Sequence, residues 1–129
     1  MKILKISAPL ILAATVLTAC AGNAVQSAGP ARVSDGVLTG ANGMTLYTFD
    51  KDAEGSGKSV CNGPCATNWP PLLVTADGSA APGYSVVMRD DGGKQWAYKG
   101  KPLYFWVKDQ KPGDRTGDGF NGVWRVAKP

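Results

Sequence analysis

One sequence motif occurs twice in this chain, and this repetition constrains the fold more than any other feature. The first copy is Leu-Tyr-Thr-Phe-Asp-Lys-Asp at residues 46–52, and the second is Leu-Tyr-Phe-Trp-Val-Lys-Asp at residues 103–109. Residues 35–52 align without gaps with residues 92–109. The aligned pairs that are identical are Gly36/Gly93, Gly43/Gly100, Leu46/Leu103, Tyr47/Tyr104, Lys51/Lys108 and Asp52/Asp109. The repetition predicts a tandem duplication.

The N-terminus has the layout of a secretory signal. Lys2 and Lys5 precede an apolar segment at residues 6–17, which is too short and too early to be a membrane span. The segment ends in Leu17-Thr18-Ala19-Cys20, which resembles the lipobox at which bacterial lipoproteins are cleaved and acylated. We therefore expect a lipoprotein signal peptide at residues 1–19 and an acylated Cys20, since several acyl chains on one cysteine anchor a protein stably.

This anchor predicts a location in the cell envelope, on a membrane rather than across it. The residue after the predicted cleavage site is Ala21, which is not a retention signal of the Asp type. If the source has two membranes, the protein is therefore expected on the outer membrane, facing the periplasm.

Composition and turn signals predict a small all-β domain after a flexible linker. Residues 20–34 are small and polar without an apolar period, and they are assigned to the lipidated cysteine and the linker. Residues 35–129 hold every aromatic residue of the chain and are rich in Gly and Pro, which is typical of short strands joined by tight turns. The prediction is an antiparallel domain of two tandem repeats, at about residues 35–75 and 84–129.

Strands are expected at residues 37–39, 44–49, 72–75, 84–89, 94–98, 101–106 and 123–127. Asn42-Gly43 and Lys99-Gly100 lie where the neighbouring strands must turn, and Asn-Gly can adopt the positive backbone angles of a hairpin turn. No segment of the mature chain has a convincing helical stripe.

The charge pattern argues against a nucleic-acid-binding protein. Removal of Lys2 and Lys5 with the signal lowers the formal net charge from +4 to about +2. The remaining Lys and Arg residues are scattered and form no basic helix. We interpret them as solvated surface charges.

Cys61 and Cys65 remain as an even pair once Cys20 is acylated. In an oxidising compartment such a pair predicts a disulfide. Closing so small a loop would contribute about 2 kcal/mol by the loop-entropy relation, so the bridge shapes the loop more than it holds the fold. A redox-active or metal-binding dithiol is the alternative, although the spacing is not the C-x-x-C of thioredoxin-like enzymes.

These features together resemble one known family. A Tyr-x-aromatic-x-x-Asp motif occurs twice behind a lipoprotein-type signal, and the cysteine pair precedes Trp69-Pro70-Pro71-Leu72. The pattern resembles the predicted bacterial lipoproteins named for a Yx(F/W/Y)xxD motif, also called the secreted repeat of unknown function. The resemblance covers almost the whole mature domain and implies an architecture and a location. It implies no established activity.

The motif side chains have a structural and a functional interpretation. Because side chains alternate along a strand, Tyr47 and Phe49 share one face, as do Tyr104 and Trp106. In the structural interpretation these rings form a core shared by the repeats. Asp52 and Asp109 would then accept hydrogen bonds from turn amides or a tyrosine hydroxyl. In the functional interpretation the rings line a groove for a glycan, a peptide or a flat cofactor.

The chain contains no histidine, which removes the catalytic constellations and the metal sites that depend on it. A hydrolase would have to use acidic residues, and the candidates are Asp50, Asp52, Asp109, Asp114 and Asp118. Such an enzyme requires two of these carboxylates to converge in a pocket. The segment at residues 114–122 also has the oxygen-rich look of a calcium loop, with Asp114 and Asp118 as candidate ligands. Since no Glu closes this loop, a turn before the last strand is preferred.

The sequence therefore predicts a lipid-anchored, non-enzymatic binding or structural module, with no cofactor assigned. Its partners would be the membrane, through the lipid, and an envelope protein or a small ligand. The first alternative is an accessory protein in redox or metal handling that uses Cys61, Cys65 and a methionine, Met44 or Met88. The second alternative is the carboxylate-dependent hydrolase.

Overall fold

The computed structural model describes residues 29–75 and 81–129. The signal peptide, Cys20 and the first part of the predicted linker lie outside the described residues. Within residues 29–75 and 81–129, no helix has the length and apolar character needed to cross a membrane.

Short antiparallel strands dominate the domain, which confirms the predicted all-β class. In chain order they are β1 Arg32–Ser34, β2 Val37–Thr39, β3 Tyr47–Phe49, β4 Tyr84–Met88, β5 Lys94–Tyr98, β6 Lys101–Pro102 and β7 Trp124–Val126. They form three small sheets with the orders β1-β2, β3-β7 and β4-β5-β6. Strand β1 and the buried Ala31 belong to the folded domain, which therefore begins a few residues before the predicted boundary at residue 35.

Two short helices are present, in addition to β1, that the sequence did not indicate. Helix α1 spans Pro64–Asn68, directly after the loop that the cysteines close, and a 3₁₀ turn spans Phe120–Gly122. Neither buries a residue, so neither produces the apolar stripe by which a helix is recognised in a sequence. Pro64 suits the start of α1, because its missing N–H would have no partner there.

Three predicted strands are much shorter than expected. Strand β3 covers only Tyr47–Phe49 of the predicted residues 44–49. Residues 72–75 form no regular strand, although single β-bridges join Pro71 to Tyr104 and Leu73 to Gln95. Pro70 and Pro71 have no backbone N–H to donate, so before Leu72 the segment contributes only carbonyls, such as that of Pro70, which accepts from the amide of Phe105. Strand β6 covers only Lys101–Pro102 of the predicted residues 101–106, although Tyr104 also forms bridges.

Tight turns of one kind join two of the strand pairs. Lys99 and Gly100 have φ angles of 48° and 80°, and Asp35 and Gly36 have φ angles of 49° and 77°. Positive φ at both central residues is the signature of the hairpin turn whose twist matches the strands. In the turn between β2 and β3 only Gly43 has a positive φ, and the amide of Gly40 donates to the carbonyl of Met44.

The two repeats are interlocked rather than placed side by side. Tyr47 and Tyr104 lie opposite each other, and the amide of each donates to the carbonyl of the other at 2.8 and 2.9 Å. Strand β3 of the first repeat pairs with β7 of the second. In the reciprocal contact, the amide of Leu72 in the first repeat donates to Leu103 in the second, and that of Ala127 donates to Leu46. Each half of the domain is thus built from both repeats.

A stack of four aromatic rings runs through the junction of the repeats. In order the rings are Phe49, Trp124, Trp69 and Trp106, with centroid separations of 4.2, 3.7 and 4.0 Å. The central pair is parallel to within 4°. Successive rings come from different repeats, so the stack belongs to neither repeat alone.

Candidate functional site: the motif side chains at the junction of the repeats

The hydroxyl of Tyr47 in the first motif donates a hydrogen bond to Asp109 of the second motif. The distance from Oη to Oδ2 of Asp109 is 2.6 Å. The other carboxylate oxygen accepts from the amide and the hydroxyl of Thr116, at 3.0 and 2.6 Å. Tyr47 is 0% exposed and Asp109 is 8% exposed, so this pair lies inside the protein.

The second motif makes the reciprocal contact. The hydroxyl of Tyr104 donates to Oδ2 of Asp52 at 2.5 Å, and Oδ1 of Asp52 accepts from the amide of Val60 at 2.7 Å. Tyr104 is 0% exposed and Asp52 is 8% exposed. The tyrosine of each motif therefore binds the aspartate of the other motif, and we call this arrangement the tyrosine–aspartate exchange.

The exchange contains the hydrogen bonds to aspartate that the sequence indicates. It also connects the two repeats, which the sequence does not indicate. Each aspartate accepts from one loop amide and from a tyrosine hydroxyl, the two kinds of donor that the structural interpretation of the motif names. The partner of each tyrosine, however, lies in the opposite repeat. This follows from the antiparallel contact of Tyr47 with Tyr104, which directs the end of each motif toward the ring of the other.

The motif rings pack in the core rather than line a groove. Tyr47, Tyr104 and Trp106 are buried, and Phe49 is half-buried against Trp124. Each tyrosine also meets the tryptophan of its own repeat edge-on, at 5.3 Å for Trp69 and 5.2 Å for Trp124. A tryptophan recurs at a similar distance after each motif, and this spacing is the sequence signal that could have identified Trp69 and Trp124 as core partners.

The exchange shifts the acidity of the buried groups. Burial, followed by the hydrogen bond to Asp109, raises the pKa of Tyr47 far above its usual value near 10. Burial and the bond to Asp52 raise the pKa of Tyr104 in the same way. Burial also raises the pKa of Asp52, although the hydrogen bonds from Tyr104 and Val60 favour its charged form. The folded state thus strongly favours neutral tyrosines.

We expect the domain to lose stability above about pH 10. Tyrosines of the unfolded chain ionise near pH 10, whereas Tyr47 and Tyr104 remain neutral in the folded state. Because the pKa of each tyrosine is higher in the folded state than in the unfolded chain, the resulting stability is fully present below the pKa of the unfolded state. It is lost as the pH rises from that value toward the pKa of the folded state. The free energy of unfolding should therefore fall by up to about 1.4 kcal/mol per pH unit for each tyrosine. Urea unfolding at a series of pH values from 8 to about 11.5 measures this slope.

Tyr47→Phe and the double variant with Tyr104→Phe provide the comparison, because lysines of the unfolded chain also titrate in this range. The slope should become shallower in the single variant and shallower again in the double variant. Equal slopes for all three proteins would contradict the expectation.

A buried arginine extends the polar network on the Asp52 side, so the interpretation of the Lys and Arg residues as solvated surface charges is wrong for Arg89. The guanidinium of Arg89 donates to the hydroxyl of Ser59 at 3.1 Å, to Oε1 of Gln95 at 2.9 Å and to the carbonyl of Cys61 at 2.8 Å. Its side chain is fully buried, and its ion-pair partner Asp91 is half exposed. Since Ser59 also bonds the hydroxyl of Tyr104 at 2.6 Å, the network reaches the exchange. Arg89 precedes Asp90-Asp91-Gly92-Gly93, which in sequence resembles an exposed turn.

Cys61 and Cys65 form the predicted disulfide. Cys61 is fully buried and Cys65 is partly buried beside the aromatic core. The carbonyl of Cys61 accepts from Arg89, so the bridge holds the loop against the polar network. Met44 is half-buried beside the turn between β2 and β3, and Met88 is exposed on β4.

The carboxylates proposed for a hydrolase or a calcium loop bind different partners. Asp50 pairs with Arg125, Asp114 accepts from the amides of Gln110 and Lys111, and Asp118 accepts from the amide of Val126. In the part of the chain that the structure describes, no hydrogen bond or ion pair brings two of the five candidate aspartates together. Residues 29–75 and 81–129 likewise contain no cluster of three or more acidic, His or Cys side chains that could hold a metal ion.

Comparison with known proteins supports the duplication. A family model described as a secreted repeat of unknown function matches the chain twice, at residues 30–73 and 85–128. Each match contains one copy of the motif and one tryptophan of the central stacked pair, Trp69 or Trp124. Each also contains the segment after that tryptophan, at Leu72 or Ala127, which pairs with the other repeat. No curated protein and no solved structure matches the chain.

Proposed function

Because the chain belongs to the family of secreted repeats of unknown function, we propose that it is a lipid-anchored, non-enzymatic binding module of the cell envelope. The lipobox-like residues 17–20 support the anchor, and the family's description as a secreted repeat supports a location in the cell envelope. Cys20 carries the lipid, and the domain from Gly29 onward carries the binding surface.

One observation carries the non-enzymatic part of the proposal: the motif carboxylates are used within the fold. Asp52 and Asp109 are each buried and bound to a tyrosine hydroxyl and a backbone amide. A general acid or base must come within hydrogen-bond distance of a substrate atom. Both carboxylates face the interior instead, which supports a role in stability over a role in hydrolysis.

The buried disulfide supports a structural bridge over an accessory dithiol. Reactive cysteines are typically partly exposed in electropositive surroundings, whereas Cys61 is 0% exposed. Thiol titration of the native protein under mild reductant separates the two roles. A structural bridge releases no thiol until the domain unfolds, and an accessory dithiol releases two.

Intact-mass measurement of the membrane-extracted protein tests the anchor. The expected mass is that of the chain from Cys20 with acyl groups attached, and the Cys20→Ser variant should lack the acyl mass. Reduction after unfolding should add two hydrogens for the Cys61–Cys65 bridge. A wild-type chain that is released from cells without acyl mass would contradict the proposed anchor.

A further inference from the structure

The two repeats differ in one feature that leaves a cleft open on one side of the domain. In the gapless alignment, Phe105 occupies the position of Thr48, and Ala97 occupies the position of Gly40. The ring of Phe105 lies directly on Gly40, because a Cβ atom at residue 40 would be 2.7 Å from it. Phe105 also packs with the apolar cluster that contains Leu46. On this side of the domain the ring fills the space between the strands.

On the other side the equivalent space is open. Thr48 is too short to reach across, and the cleft above it has a volume of about 530 Å³. Its floor is formed by Thr48 and by the buried apolar side chains of Leu103, Val126 and Ala127. Since Leu103 is the aligned partner of Leu46, the open cleft and the filled space are corresponding places in the two repeats.

Three lysines lie on the rim of the open cleft. They are Lys99, Lys101 and Lys128, and within the described residues none of these three ammonium groups forms an ion pair. The ammonium of Lys99 sits over the ring of Tyr98 at 5.2 Å from its centroid, which places one positive charge at the edge of the cleft.

Three other charged side chains line the cleft. Arg125 lines the cleft, but its guanidinium pairs at 2.9 Å with the carboxylate of Asp50, which is not part of the lining. Asp118 directs one carboxylate oxygen to the amide of Val126 at 3.1 Å. Glu54 lines the same cleft, and within the described residues neither Glu54 nor Asp118 forms an ion pair with the three lysines, so their ammonium groups stay available to a ligand.

We propose that this cleft binds a small organic anion that has an apolar body. The anionic group lies between Lys99, Lys101 and Lys128, where ammonium groups bind carboxylate, sulfonate or phosphate oxygens by charge-assisted hydrogen bonds. The apolar body covers the floor at Leu103 and Ala127, in the place that Phe105 fills in the other half. This assignment rests on the proposed function as a binding module and names the site and the ligand class of that module.

Binding of 1-anilinonaphthalene-8-sulfonate, an anion with an aromatic body, tests the proposal by its fluorescence. The protein is used as the soluble form that begins at Ala21, since this form contains every residue that the structure describes. N-phenyl-1-naphthylamine, which has a similar body without the sulfonate, is the uncharged comparison. We expect the sulfonate probe to bind the wild type and to bind more weakly as salt is raised, because salt screens exposed charges.

Two sets of variants locate the probe. Thr48→Phe combined with Ala97→Gly copies the filled side into the open side and should abolish binding of both probes. The triple variant Lys99→Gln, Lys101→Gln and Lys128→Gln should weaken the sulfonate probe by about tenfold or more and affect the uncharged probe less. Its matched control changes three exposed lysines outside the cleft: Lys94→Gln, Lys108→Gln and Lys111→Gln.

The outcomes are distinct. Unchanged binding in the filled-cleft variant, or equal weakening by the control lysines, would overturn the proposed site. If the filled-cleft variant fails to fold, as judged by near-ultraviolet circular dichroism, the lysine triple and its control decide the question. These measurements use protein without Cys20, so a failed anchor leaves them unaffected. Conversely, an acylated protein whose cleft binds no probe would retain the anchor and lose only this site.

Discussion

Cleavage between Thr75 and Ala81 should leave two pieces that remain associated, and neither piece should fold once it is separated from the other. The reason is the interlocked pairing of the repeats. Strand β3 pairs with β7, and the segment around Leu72 pairs with residues of the second repeat, so separation leaves both motif strands without their neighbours. A piece of this length also buries too little of its own apolar surface to be stable alone.

A protease site inserted between Thr75 and Ala81 allows the experiment. Tryptophan fluorescence, near-ultraviolet circular dichroism and size-exclusion chromatography should show a folded complex after cleavage. The pieces should lose these signals after separation in denaturant and regain them when they are mixed and returned to native buffer. The uncleaved protein with the same insertion is the control. A separated piece that is a folded monomer would contradict the interlocked arrangement.

Trp69→Ala should be the most destabilising single substitution, with a loss of about 3 to 5 kcal/mol in the free energy of unfolding. Trp69 is 3% exposed and stacks on Trp124 and Trp106, and Tyr47 contacts its edge. Its removal leaves a cavity in the middle of the stack and interrupts the contact between the repeats. For a domain of this size, the loss corresponds to a fall in melting temperature of at least about 12 °C.

Phe120→Ala is the matched control for this substitution. Phe120 also contacts Trp69 and Trp106, at 5.8 and 4.9 Å between centroids, but it lies at the outer edge of the stack and is 40% exposed. Its loss should cost about 1 kcal/mol. Urea denaturation of both variants measures the difference. Equal effects would show that the centre of the stack contributes no more than its edge.

The sequence was sufficient to predict the features of this fold that depend on local patterns. The aligned motifs predicted the duplication, and the turn residue Gly100 marks a hairpin that the structure contains. The short acidic side chain at the end of each motif predicted hydrogen bonds from turn amides or from a tyrosine hydroxyl. Asp52 and Asp109 make both kinds of bond.

The features that depend on long-range pairing could not be predicted. A motif that occurs twice does not reveal whether Tyr47 binds the aspartate of its own repeat or that of the other. The answer depends on the antiparallel contact of Tyr47 with Tyr104 and on the pairing of β3 with β7. Arg89 lies in an acidic, glycine-rich segment that resembles an exposed turn, and only the folded loop places it beside Ser59 and Cys61.

The open cleft arises from the same duplication. Two identical repeats would fill both corresponding spaces or leave both open. Thr48 and Phe105 occupy the position between the tyrosine and the next aromatic residue of the motif. The motif does not specify this position, so it does not reveal the difference between the two repeats. The consequence of this difference becomes visible when the two halves of the domain are compared, because the ring fills one side and the lysines surround the other.

Double-mutant cycles on the four motif residues test the tyrosine–aspartate exchange most directly. The substitutions are Tyr47→Phe, Tyr104→Phe, Asp52→Ala and Asp109→Ala, and the quantity measured is the coupling free energy of each tyrosine with each aspartate. The exchange predicts about 1 to 3 kcal/mol for Tyr47 with Asp109 and for Tyr104 with Asp52. The pairs within one motif, Tyr47 with Asp52 and Tyr104 with Asp109, should be additive to within about 0.5 kcal/mol. Coupling confined to the pairs within one motif would contradict the exchange.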